Sequence, residues 1–219
     1  MPTRRRWVVH PGAKVEYTAY LPLLSGIAEQ GIDCFLMKMP CNLAFLEKNK
    51  AEDIINSYAY ESWYMSGHSL GGAMAADYAA EHLEMLDGLV LLAAYPTKEL
   101  KADDFSVLCL YGSEDGVLNM EKVEKGREYM PSAYVEVCIN GGNHAQFGNY
   151  GNQKGDKTAA ISRIEQQEQT IKEICKMIQD HKGSEREKSL ADFQKDNEKS
   201  ARPLFTLVSI PEGSGNSRT

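Results

Sequence analysis

Short β-branched and aromatic runs alternate with helical spacing along most of this chain. That pattern predicts an α/β architecture, a mostly parallel sheet with helices on both faces. Trp7-Val8-Val9 reads as the first strand and ends at Pro11-Gly12. Tyr20, Leu21, Leu23, Leu24, Ile27 and Ala28 recur at helical spacing, and Gly31 closes that helix. Asp33 to Met39 is the next strand, stopped by Pro40, and a weaker helix covers about Lys48 to Ser57.

Trp63 to Ser66 runs straight into a glycine-rich turn at 67–72, which opens a small-residue helix, Ala73 to Met85. Gly88 to Ala93 is apolar throughout, as a strand covered on both faces must be. Phe105–Tyr111 and Ala133–Ile139 bring the sheet to about six strands, with a helix near Asn119–Tyr129 between them. A final helix spans Arg163 to Asp180, where Ile164, Ile171, Ile174, Cys175 and Ile178 mark the buried face. Beyond Lys182 the pattern is lost: 183–202 is charged and aperiodic, and only Leu204–Ile210 is apolar. The expected organisation is one domain over 1–182 and a polar, flexible tail over 183–219.

Composition narrows the class. With 219 residues, 42% hydrophobic and 25% charged, the chain can build one ordinary globular core. A net charge of -7 argues against nucleic acid as a partner, because phosphate binding needs a basic face. No run approaches the roughly 18 apolar residues of a membrane span. The basic N-terminus is followed by too short an apolar run for a signal peptide. A cytoplasmic location is expected, with an anchored or exported longer form left open. The cysteines at 34, 41, 109, 138 and 175 form no CxxC pair and no cluster with histidine. They suit free thiols in a reducing compartment, with Cys34, Cys109 and Cys138 buried in strands, and no metal or organic cofactor is expected.

The chemistry lies in Gly67-His68-Ser69-Leu70-Gly71-Gly72. Gly-x-Ser-x-Gly between a strand and a helix lifts a serine hydroxyl above the carboxyl edge of a sheet and sets it at a helix N-terminus. Such a nucleophile needs an acid and then a histidine after later strands. Gly112-Ser113-Glu114-Asp115-Gly116 supplies Asp115, with Glu114 as the fallback, and Asn140-Gly141-Gly142-Asn143-His144 supplies His144. His10, His68, His82 and His181 fit that role less well by position. The N–H of Leu70 and that of Ala13, in the loop His10-Pro11-Gly12-Ala13-Lys14, are the candidate oxyanion donors. Gly12, Asn42, Tyr95 and Phe147 leave strands on the same edge and are candidate pocket residues.

These segments resemble a family. HPGAKVEYTAYLPLL, FLMKMPCNLAF, GHSLGGAMAADYA, GLVLLAAYP, LYGSEDG and INGGNHAQFGNYG look like the small, lidless bacterial α/β-hydrolases related to the dienelactone-hydrolase-like group. The likeness spans about residues 7 to 180. It implies an α/β-hydrolase fold, Ser69, Asp115 and His144 as triad, and Ala13 and Leu70 as oxyanion donors. Serine replaces the cysteine nucleophile of dienelactone hydrolases proper and points to carboxylic-ester or thioester chemistry on a small acyl substrate. Relatives carry further N-terminal strands, so their absence would leave Asp33–Met39 as an unprotected sheet edge. A peptidase or acyltransferase with the same triad, and a non-catalytic binding protein on the scaffold, remain alternatives. The oligomeric state is not legible.

Overall fold

A computed structural model describes residues 5–38, 50–58, 62–102, 104–180 and 205–206. Among the described residues, seven strands form one sheet: β1 Arg5–His10, β2 Ile32–Leu36, β3 Trp63–His68, β4 Gly88–Leu92, β5 Ser106–Gly112, β6 Ala133–Ile139 and the two-residue β7 Phe205–Thr206. Their order is β6-β5-β4-β3-β1-β2-β7. Every pair is parallel. The helices are α1 Leu21–Glu29, α2 Lys50–Ser57, α3 Leu70–Glu81, α4 Met120–Gly126 and α5 Arg163–Asp180.

Side-chain alternation along the strands sorts the core into two layers. Trp7 and Val9 of β1 point to one face with Cys34, Leu36, Val90, Leu92, Leu108 and Leu110, and there they meet Leu23, Leu24 and Ile27 of α1 and Ile174 and Ile178 of α5. Val8 points to the other face with Phe35, Met65, Leu89, Leu91 and Val107, against Ile54 of α2 and Ala75, Ala76 and Ala79 of α3. β4 is buried along its whole length, as its unbroken apolar sequence predicts.

The structure departs from the sequence reading in several places, among them the helix expected over Ala73 to Met85, which begins at Leu70 and ends at Glu81. β1 begins at Arg5 rather than Trp7, because the buried Arg6 guanidinium lies 3.5 Å from Asp33, its register partner on β2. β2 is not the sheet edge along its whole length, since β7 pairs with Cys34 and Phe35. Cys34 and Cys109 are buried, but Cys138, on β6 at the end of the strand order, is exposed. Ile164 is 69% exposed, while Gln166, Gln167 and Thr170 are buried in its place. The first half of α5 thus turns amides rather than aliphatic groups inward, and those amides serve the site described below. Among the described residues no helix is long and apolar enough to cross a membrane.

Candidate active site

The turn between β3 and α3 is tightly built. Ser69 sits there at φ 54, ψ -123, a left-handed backbone conformation that costs a non-glycine residue about 1–3 kcal/mol. The turn is pinned at both ends: the Ser69 N–H donates to the Leu92 carbonyl (2.9 Å), and the Ser69 carbonyl accepts from Ala73 N–H (3.1 Å). A Cβ on Gly67 would lie 2.6 Å from Gly72 N, and one on Gly71 would lie 2.6 Å from the His10 carbonyl oxygen. Glycine at these two positions therefore lets β3, the first turn of α3 and the loop after β1 close onto one point.

Asp115 and His144 leave the neighbouring strands β5 and β6. The Asp115 Oδ1 atom accepts from Val117 and Leu118 N–H, each at 2.8 Å. That fixes Oδ2, which lies 2.8 Å from His144 Nδ1. Their side chains are only 2% and 1% exposed, so the pair is shielded from water. Nδ1 must donate to the carboxylate, which leaves Nε2 with a lone pair whenever the ring is neutral. Nε2 is buried without a hydrogen-bond partner. The His144 ring lies 4.6 Å from that of His68, the residue before Ser69. Glu114 does not compete for the histidine; its carboxylate accepts instead from Ser113 Oγ at 3.2 Å.

Leu70 is the first residue of α3, so the helix ladder does not use its N–H. Ala13 lies in a tight turn closed by Val15 N–H to the Gly12 carbonyl (3.2 Å), with Lys14 at φ 60. The Gly12 N–H donates to Tyr20 Oη at 3.0 Å. Tyr20 Oη lies 2.8 Å from His68 Nδ1, and His68 Nε2 lies 3.1 Å from the His144 carbonyl oxygen.

Of the remaining candidates, Tyr95 is half-buried after β4 with Lys122 Nζ 5.6 Å from its ring centre. Phe147 is fully buried, its ring 5.8 Å from that of His68. Asn42 lies outside the described residues. Among those residues, no three His, Cys, Asp or Glu side chains group closely enough to hold a metal ion.

Asp156 has no motif around it and was missed by sequence reasoning. Its Oδ1 accepts from Gly116 N–H (3.1 Å) and His144 N–H (3.3 Å), and its Oδ2 from Ala145 N–H (2.9 Å). One carboxylate thus ties the aspartate loop to the histidine loop. Behind it, Gln166 accepts from Asn143 N–H (2.9 Å) and donates to the Asn143 carbonyl (2.8 Å). These are the amides that displace Ile164 from the buried face of α5.

Two histidines are buried without charge. Burial lowers His10 to about 3, and both its ring nitrogens lack partners. Burial, and next the adjacent His144, hold His68 well below the ordinary histidine range. In the unfolded chain both would take a proton near pH 6.5. The unfolded state therefore binds more protons below that pH, and stability falls as pH drops from about 6.5 toward the folded-state values. Each ring is expected to cost about 1 kcal/mol at pH 5.5 relative to neutral pH. Together they should lower Tm on the order of 5–10 °C. Thermal melts at pH 7.5 and 5.5 check this; an unchanged Tm would show that at least one ring takes its proton in the folded protein.

The alpha/beta hydrolase family model matches residues 6–168. No curated protein sequence matches the chain. Among solved structures, the monoacylglycerol lipase of Paleococcus ferrophilus is 14% identical with a TM-score of 0.63, covering 80% of this chain and 96% of that one. Alpha/beta hydrolase domain-containing protein 10 from mouse is 12% identical with a TM-score of 0.60, covering 80% and 90%. The type II thioesterase BorB from the borrelidin biosynthetic cluster is 15% identical with a TM-score of 0.51, covering 66% and 85%. At such identities the likeness is one of fold.

Proposed function

The chain belongs to the alpha/beta hydrolase family, and from that premise we propose that it is a serine hydrolase cleaving a carboxylic ester or thioester through an acyl-enzyme. The observation that carries this reading is the shielded contact of 2.8 Å between Asp115 and His144, set beside the strained Ser69 turn. A general base held by an ionised carboxylate next to a serine at a helix N-terminus is the equipment of acyl transfer.

Ser69 Oγ attacks the substrate carbonyl carbon while His144 Nε2 takes its proton. Asp115 keeps Nδ1–H oriented and balances the imidazolium charge. The N–H groups of Leu70 and Ala13 receive the oxyanion. Collapse of the tetrahedral intermediate breaks the bond to the alcohol or thiol, which leaves with the proton from Nε2. Water then attacks the acyl-enzyme with the same base, releasing the acid and restoring the Ser69 hydroxyl. Residues 93–105 alone join β4 to β5, so no long insertion stands at that point of the chain. The order and spacing of the motifs favour the small, lidless group related to dienelactone hydrolases, from whose cysteine nucleophile Ser69 departs.

A fluorophosphonate tests the reading directly. The Ser69 Oγ–P bond should form, the P–F bond should break, and the proton should pass to His144. Mass spectrometry of the digested protein is expected to find the phosphonyl adduct on Ser69. A folded sample with no adduct, or with the adduct on another residue, would favour a non-catalytic binding role. Once labelling is established, a panel of acyl esters, thioesters and peptides identifies the bond cleaved.

A further inference from the structure

Tyr20 and His68 are buried polar residues that the proposed mechanism does not use. They form a continuous path from the loop after β1 to the histidine loop: Gly12 N–H, Tyr20 Oη, His68 Nδ1, His68 Nε2 and the His144 carbonyl. The chemistry at its two ends fixes the direction of every bond. A carbonyl oxygen only accepts, so His68 Nε2 carries a proton. A neutral ring has one proton, so Nδ1 is bare and accepts the Tyr20 O–H. Tyr20 Oη in turn accepts the Gly12 N–H. Burial, the largest influence on both groups, keeps His68 neutral and the Tyr20 phenol protonated.

We propose that Tyr20 and His68 are positioning residues that lock the Gly12–Ala13 loop to the backbone of His144. This rests on the serine-hydrolase reading, in which Ala13 donates to the oxyanion and His144 is the base. Those two groups lie far apart along the chain, in the loops after β1 and β6, strands separated in the sheet by three others. The path through Tyr20 and His68 joins the two loops directly across the Ser69 turn. The His68 ring has one productive orientation, because a half-turn would set C–H groups against Tyr20 Oη and the His144 carbonyl and lose both bonds. A Cβ at Gly12 would come 2.8 Å from Tyr20 Oη and 2.9 Å from His68 Nδ1, so the loop has no slack toward them.

Tyr20→Phe removes one oxygen, strands Gly12 N–H and His68 Nδ1, and leaves Ser69, Asp115 and His144 in place. The readouts, per folded molecule, are kcat and KM on an ester, the fluorophosphonate labelling rate and inhibition by phenylboronic acid, which forms a tetrahedral adduct on the serine. Displacement of oxyanion donor from base is expected to lower kcat and the labelling rate about 10–100-fold with KM changed less than about threefold. The boronate inhibition constant should rise in proportion to the loss of kcat/KM. A packing role alone would lower Tm and leave these constants intact, so values within about twofold of wild type overturn the proposal. Absence of labelling in the wild-type protein defeats instead the serine-hydrolase reading on which it rests. Nitrogen NMR of the wild-type protein tests the path without any variant. His68 is expected as the neutral Nε2–H tautomer from pH 5.5 to 8, and an Nδ1–H tautomer or a titration in that range overturns it.

Discussion

Ser69→Ala is expected to abolish fluorophosphonate labelling and to lower kcat on the order of 10⁴–10⁶-fold. No neighbour can stand in for the lost hydroxyl. His68, the adjacent side chain, engages both ring nitrogens elsewhere. What remains would be water activated by His144 and held near the oxyanion donors, which accounts for a small residual rate. The fold should not suffer, because the turn is held by backbone bonds to Leu92 and Ala73 that do not involve the side chain. Circular dichroism and a melt within a few degrees of wild type would establish this. A correctly folded Ser69→Ala protein with kcat within tenfold of wild type would refute the assignment of Ser69.

The second large effect belongs to Asp115→Asn. The two oxygens of Asp115 have separate duties: Oδ1 holds Val117 and Leu118 N–H, and Oδ2 faces His144. An asparagine must keep its carbonyl oxygen toward the two backbone donors, so its NH₂ group turns to His144 Nδ1. Two donors cannot share that contact, and the imidazole answers by moving its proton to Nε2. The base then faces Ser69 with a proton where it needs a lone pair. The expected loss in kcat is about 10³–10⁴-fold at neutral pH with little change in KM or Tm. Glu114→Gln, which alters a carboxylate bonded only to the adjacent Ser113 hydroxyl, should change kcat less than about threefold. If Glu114→Gln were the more damaging of the two, the acid would have been assigned to the wrong residue.

What was legible in the sequence is what the backbone demands. The glycines at 67 and 71 announce a close approach that no other residue permits, and the unbroken apolar run in β4 announces a strand covered on both sides. Asp115 and His144 stand out in the sequence because each follows a strand and a turn-forming stretch, and the structure brings their side chains to 2.8 Å of each other. The rest depended on partners distant in sequence. Tyr20 reads as one more apolar position in a helical pattern, since nothing local shows that its hydroxyl meets Gly12 and His68. Asp156 is a lone acid in a loop, and its role exists only because Gly116, His144 and Ala145 converge on it. Ile164 was misread because periodicity alone cannot reveal that neighbouring glutamines are drawn inward by the histidine loop. Phe205 and Thr206 each lie 171 residues beyond their β2 partners Cys34 and Phe35, past a charged stretch that carries no strand signal.

The strand order has a bearing on synthesis. From β3 outward the sheet adds β4, β5 and β6 in the order in which they leave the ribosome, each beside the last. The Ser69 turn takes its N–H acceptor, the Leu92 carbonyl, from β4, whereas His144 follows β6, the last of these four strands to be made. Under the proposed mechanism, the Ser69 hydroxyl would therefore gain its base only when the loop after β6 docks and brings His144.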